Sequence, residues 1–123
     1  MNPVSGIMVQ KVLDVTIVDF QEARLLDTKH IDNIAEQLYQ LVDKMDRRKL
    51  IVDFSKVQFL SSSAIGMLLN LHKKSKAIKG ELILCGLRKD LMKVFEITNL
   101  TRLLRFCADE KEALAVFGHA GRV

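Results

Sequence analysis

An α/β fold, with a mixed but mostly parallel sheet of four to five strands covered by about four helices, is what the sequence predicts. Three observations carry it. Leu50-Ile51-Val52 and Leu82-Ile83-Leu84-Cys85 are short unbroken apolar runs, the pattern of strands buried on both faces and paired parallel to a neighbour. Residues 62–78 between them are helical in character, which makes a βαβ unit with an expected right-handed crossover. Beyond it strand-like and helix-like segments continue to alternate. Pro3 is the only proline, so nothing forces a break in the order β-β-α-β-α-β-α-β-α.

The elements follow in chain order. Ile7 to Val12 and Val15 to Phe20 are apolar runs separated by Leu13-Asp14, and the second is rich in β-branched residues suited to a pleated sheet. Ile31, Ile34, Ala35, Leu38, Leu41, Val42 and Met45 recur at three- and four-residue steps and predict one apolar helical stripe. Asp27 or Thr28 can cap that helix, and Glu36, Gln37, Gln40, Asp43 and Lys44 fall on its wet face. After the Leu50 strand and the helix over 62–78, Gly80 is expected to supply the left-handed stop. A third helix over Lys89 to Ile97 should turn Leu91, Val94 and Phe95 inward, and Leu104 to Cys107 reads as a short strand. Asp109 with Glu112 has the spacing of a reciprocal cap for a last helix ending near Phe117. Residues 118–123 read as a loose tail beyond an ordered core of about 7–117.

At 123 residues the chain has the size of one domain, 1–123. Hydrophobic residues at 49% and charged residues at 28% argue for a packed core rather than disorder. Two cysteines, Cys85 and Cys107, are too few for a disulfide framework and too far apart for a paired metal motif, so both are expected as small buried hydrophobes. No apolar stretch reaches the roughly 20 residues that span a bilayer. The N-terminus lacks a basic segment followed by an apolar one. The expected location is cytoplasmic, with no membrane insertion. The net charge of +4 permits an anionic partner, but with no Trp and one Tyr the stacking platform of a single-strand nucleic-acid binder is thin, so no nucleic-acid partner is expected.

No catalytic constellation is expected. The histidines are His30, His72 and His119. His72 lies about 15 Å along one helix from Ser62, out of hydrogen-bond reach. There is no Gly-rich phosphate loop and no metal-ligand spacing, so no cofactor and no metal are expected. Asp14, Asp19, Asp27 and Asp53 could meet near strand ends, but solvated caps and turns account for them more simply.

One passage suggests a function. Residues 50–69 run from an apolar strand through a polar turn into three serines, Ser61, Ser62 and Ser63, that open an apolar helix. A helix start exposes unpaired N–H groups and the positive end of the helix dipole. A serine there can be an N-cap, or it can carry a phosphate where a helix best tolerates negative charge.

These residues resemble the STAS domain family, the fold of bacterial anti-sigma-factor antagonists and of sulfate-transporter cytoplasmic tails. The resemblance covers about residues 7–117. It rests on Ile51-Val52-Asp53-Phe54-Ser55-Lys56-Val57-Gln58-Phe59-Leu60 with the serines and Ala64-Ile65-Gly66-Met67, and on Leu82 to Leu87, Val94 to Leu100 and Glu112-Ala113-Leu114. It implies a protein-binding module, not an enzyme, phosphorylated at Ser62 by a partner anti-sigma serine kinase and reset by a phosphatase, with Ser61 and Ser63 as rival acceptors. Ser61 stands where the family carries aspartate and Ala64 where it carries its first glycine. The expected partner surface is Ser61, Ser62, Ser63, Ile65, Met67, Leu87 and Arg88, with Met67 equally suited to the core. The alternative is a STAS subunit that is never phosphorylated, docked on a transporter or signalling scaffold.

Overall fold

The structure is a computed structural model that describes residues 6–119. Its elements are β1 (Ile7–Val12), β2 (Val15–Phe20), β3 (Arg24–Leu25), α1 (Thr28–Asp43), β4 (Lys49–Asp53), β5 (Phe59–Leu60), α2 (Ser62–Ala77), β6 (Glu81–Cys85), α3 (Lys89–Ile97), a 3-10 turn (Leu100–Arg102), β7 (Arg105–Cys107) and α4 (Glu110–Val116). Five strands form one sheet in the order β1-β2-β4-β6-β7. β1 and β2 make an antiparallel hairpin, and every later pairing in that sheet is parallel.

The unbroken apolar runs are explained by a sheet covered on both sides. Val18, Phe20, Leu50, Val52, Leu82 and Leu84 face the larger core shared with α1, α2 and α3. Val15, Ile17, Ile51, Ile83 and Cys85 face the opposite side and meet Ala113 and Leu114 of α4. Each such side chain contributes roughly 1.5–3 kcal/mol when fully removed from water. Strands that alternated polar and apolar residues could not satisfy both layers.

Several expectations need correction. α1 buries Ile31, Ile34, Ala35, Leu38, Leu41 and Val42, but it ends at Asp43, which leaves Met45 outside the stripe and 50% exposed. Asp27, not Thr28, is its cap, and accepts from the His30 N–H at 2.9 Å. On α3, Leu91 and Phe95 are buried while Val94 is exposed. The left-handed residue after α2 is Lys79 (φ +61°), one position before Gly80. Gly80 is needed for space instead: a Cβ there would lie 2.6 Å from the Arg48 carbonyl oxygen. That oxygen accepts from the Glu81 N–H at 2.7 Å.

β7 begins at Arg105, with Leu104 buried just before it. Cys107 is half-buried rather than enclosed. The reciprocal cap of α4 forms: the Asp109 Oδ1 accepts from the Glu112 N–H at 2.8 Å, and the Glu112 Oε1 from the Ala108 N–H at 2.9 Å. The start of the tail is tied down, because the His119 ring bonds the Asp14 carboxylate at 2.5 Å. The rest of the expected tail, 120–123, and the start of the N-terminal segment, 1–5, lie outside the described residues.

Candidate functional site

β3 and β5 build the site. Each has two residues, too few for an alternation to reveal, and they pair in parallel, Arg24 with Phe59 and Leu25 with Leu60. The Ser61 N–H extends this pairing by donating to the Leu25 carbonyl at 3.0 Å. The chain then enters α2 from Ser61 and α1 from Asp27, so two helix N-termini open side by side. The Ser63 and Thr28 hydroxyls meet across them at 3.5 Å.

The three serines divide the work. Ser61 has extended backbone (φ −90°, ψ 167°), and its Oγ accepts from the Ala64 N–H at 3.3 Å, so it is the N-cap. Ser62 is the first helical residue and is exposed. Ser63 is half-buried on the Thr28 side. The N–H groups of the first turn have no intrahelical carbonyl to bond, and the dipole adds partial positive charge there. An anion on the Ser62 hydroxyl would sit where a helix accommodates it.

Of the remaining surface residues, Ile65 is half-buried at the edge of the larger core. Met67 is 2% exposed and belongs to that core, so it cannot touch a partner. Its place follows from helical phase: two positions after Ile65, it turns with Ala64, Leu68 and Leu71 toward the sheet. Leu87 and Arg88 lie on the β6–α3 connection at the same carboxyl end of the sheet. Leu87 is half-buried against the larger core and Arg88 is exposed, 3.4 Å from Asp90. The sequence reading missed Phe59, 47% exposed with the Arg24 guanidinium 5.0 Å from its ring centre, and Leu26, 39% exposed.

A second group lies at the same ends of the strands. Asp19 is the last residue but one of β2, Asp53 closes β4 beside it, and Glu110 opens α4; one oxygen from each falls within 4.8 Å of the others. The expectation of solvated turns fails here, because Asp53 is 9% exposed, and Glu110 was not anticipated. Bonding to Asp53, then burial, then the nearby Asp19 charge push the Glu110 carboxyl up to about 8. Burial also raises Asp19. Burial works against the Asp53 charge as well, but bonds from Glu110 and Ser55 outweigh it and hold that carboxyl below its ordinary value. The Ser55 N–H donates to the Asp53 Oδ1 at 2.8 Å. Gly86 is what admits this carboxylate, since a Cβ there would lie 2.7 Å from the same oxygen. The three carboxyls could offer oxygens to a cation.

The cysteines follow their surroundings. Burial, then the charge of Asp53, raises the Cys85 thiol, and burial with Glu112 nearby raises Cys107. Neither is an activated nucleophile. Among the described residues no helix is long and apolar enough to cross a membrane.

Comparison with known proteins agrees with this architecture. An anti-sigma factor antagonist by name, BtrV of Bordetella bronchiseptica, is 26% identical over 93 residues, 76% of this chain and 79% of that protein. The anti-sigma-factor antagonist (STAS) domain protein of Planctomyces limnophilus superposes with a TM-score of 0.79 at 25% identity, covering 89% of this chain and 95% of the other. The Bacillus anti-sigma factor antagonist SpoIIAA, solved unphosphorylated and phosphorylated, gives TM-scores of 0.72 and 0.71 at 19% and 20% identity, over 91% and 90% of this chain and 97% and 98% of the other. The STAS domain profile matches residues 6–113. With a parallel sheet entering a serine-capped helix and that match over most of its length, the chain belongs to the STAS domain family.

Proposed function

We propose that this protein is an anti-sigma-factor antagonist: a binding module of the cytoplasm, not an enzyme, that holds a partner anti-sigma serine kinase while Ser62 is unmodified. Phosphorylation of Ser62 by that kinase ends the contact, and a phosphatase restores it. The observation that carries the reading is the exposed Ser62 hydroxyl at the first position of α2, relieved of capping by Ser61. SpoIIAA, which shares the fold, exists in both phosphorylated and unphosphorylated forms.

The physical basis is charge. A phosphate adds about −1.5 to −2 units at the contact. The α2 terminus tolerates it, so the fold persists. An interface fitted to a neutral hydroxyl would instead bury an unmatched dianion, which costs several kcal/mol. Ile65, Leu87, Arg88, Phe59 and Leu26 border the serines at this end and would supply the surrounding contact.

Incubation with the cognate kinase and ATP, followed by mass spectrometry, should place one phosphate on Ser62. Ser62→Asp should weaken kinase binding by about 100-fold, close to 3 kcal/mol, while Ser62→Ala retains it. No phosphate on residues 61–63, together with full affinity of Ser62→Asp, would overturn the reading in favour of a constitutive subunit.

A further inference from the structure

The charge of this molecule is gathered at one end. Where β4, β6 and β7 begin, two adjoining clefts of about 540 Å³ and 390 Å³ share Arg48 and Lys49 in their walls. Lys76, Lys79 and Arg105 complete the cations of the larger cleft, and Lys11 and Arg47 those of the smaller. Against these seven stand three carboxylates, Asp14, Asp46 and Glu81. The whole chain has 19 Lys and Arg and 15 Asp and Glu. Apart from the residues lining these two clefts the sequence holds twelve of each, so the cleft excess of four equals the net charge of +4.

Helix dipoles account for part of this. All four helices run back toward this side, each contributing about half a negative charge. Together they offset roughly two of the four, which leaves an excess of about two. The local carboxylates are already engaged. Glu81 is shared by Lys76 at 2.8 Å and Arg105 at 3.7 Å, Asp14 holds Lys49 at 2.5 Å, and Asp46 holds Arg48 at 3.3 Å. Lys79 is exposed and has no carboxylate partner among the described residues. Val116 and Phe117 give the larger cleft an apolar wall.

We propose that this end is a docking site for an acidic peptide segment of a second protein, whose carboxylates enter the larger cleft beside an apolar side chain resting on Val116 and Phe117. The clefts are shallow, but Arg48, Lys49, Lys76 and Arg105 already hold carboxylates and an apolar wall adjoins them, which favours a segment carrying both carboxylates and apolar side chains over a bilayer surface or a duplex. Ser62 and Lys76 are about 21 Å apart along α2, so the site is separate from the serine end and both can be occupied together.

The test uses the whole protein and a synthetic peptide of alternating glutamate and leucine, followed by amide and side-chain chemical shifts. Shifts should concentrate at Lys76, Lys79, Gly80 and Arg105. Arg48→Glu with Lys79→Glu should weaken the peptide by at least about tenfold. Lys89→Glu with Lys93→Glu, the same charge change made on α3, should change affinity less than about twofold. Equal losses in the two pairs, or wild-type shifts spread over the surface, would mean that net charge alone attracts the peptide and would overturn the proposal. Tighter binding of inorganic triphosphate, an oligonucleotide or phosphatidylglycerol vesicles than of the peptide would overturn it too. No kinase enters the experiment, so its outcome is independent of the role proposed for Ser62.

Discussion

Ser61 and Ser62 are adjacent and chemically identical, yet the backbone gives them different tasks. The N-cap position lets the Ser61 hydroxyl reach a first-turn N–H, and the next residue is already helical and points away. Ser61→Ala should therefore lower stability by about 1 kcal/mol, whereas Ser62→Ala should stay within about 0.5 kcal/mol of the parent; urea unfolding separates the two. Glu110 offers a second test. Its carboxyl holds a proton up to about 8 in the folded protein and releases it near the ordinary value when unfolded. At this group the unfolded chain thus binds fewer protons between those limits, and the group's contribution to stability falls as pH rises from about 5 to 8. Glu110→Gln, which mimics the protonated group, should remove its own share of that fall, leaving the part due to the raised Asp19 carboxyl, and exceed the parent at pH 8 by about 1 kcal/mol, solvent screening at this partly exposed site keeping the gain modest. Asp53 has the opposite sense and loses its contribution only below its ordinary carboxylate range, outside this window.

Elements were legible in proportion to their length. The α1 stripe, the two central strands and the α4 cap are written in periods and spacings that tertiary contacts reinforce, so their existence followed directly from the residues. The two-residue β3 and β5 were invisible, because pairing between Arg24-Leu25 and Phe59-Leu60 depends on loops converging in space. The same limit hid Glu110, whose partners lie far away in sequence, and the phase of Met67, which an apolar helix with a broad hydrophobic arc does not fix. Met67→Ala should lower stability by about 2–5 kcal/mol; Ile65→Ala should cost less and weaken kinase binding instead, by the reading proposed above. The Gly80 junction allows a paired check. Gly80→Ala must displace the Arg48 carbonyl and should destabilise by about 1–3 kcal/mol. Lys79→Gly relieves a left-handed side chain and should be neutral or slightly stabilising in thermal melts.

The serines stand at one end of the molecule and its excess charge at the other, and the sequence held only half of that arrangement. Ser61, Ser62 and Ser63 were recognisable as a helix entrance from their neighbours alone. Arg47, Arg48 and Lys49 are consecutive, but Lys11 on β1, Lys76 on α2, Lys79 just after it and Arg105 on β7 lie far apart in the chain, and only the tertiary fold collects them. An electrically lopsided body of this kind feels a torque as well as a pull. Near any anionic object it rotates until its cationic end leads, and the hydroxyls are left facing open water. The molecule would arrive at such a neighbour already oriented, its modifiable end unobstructed before a single contact has formed.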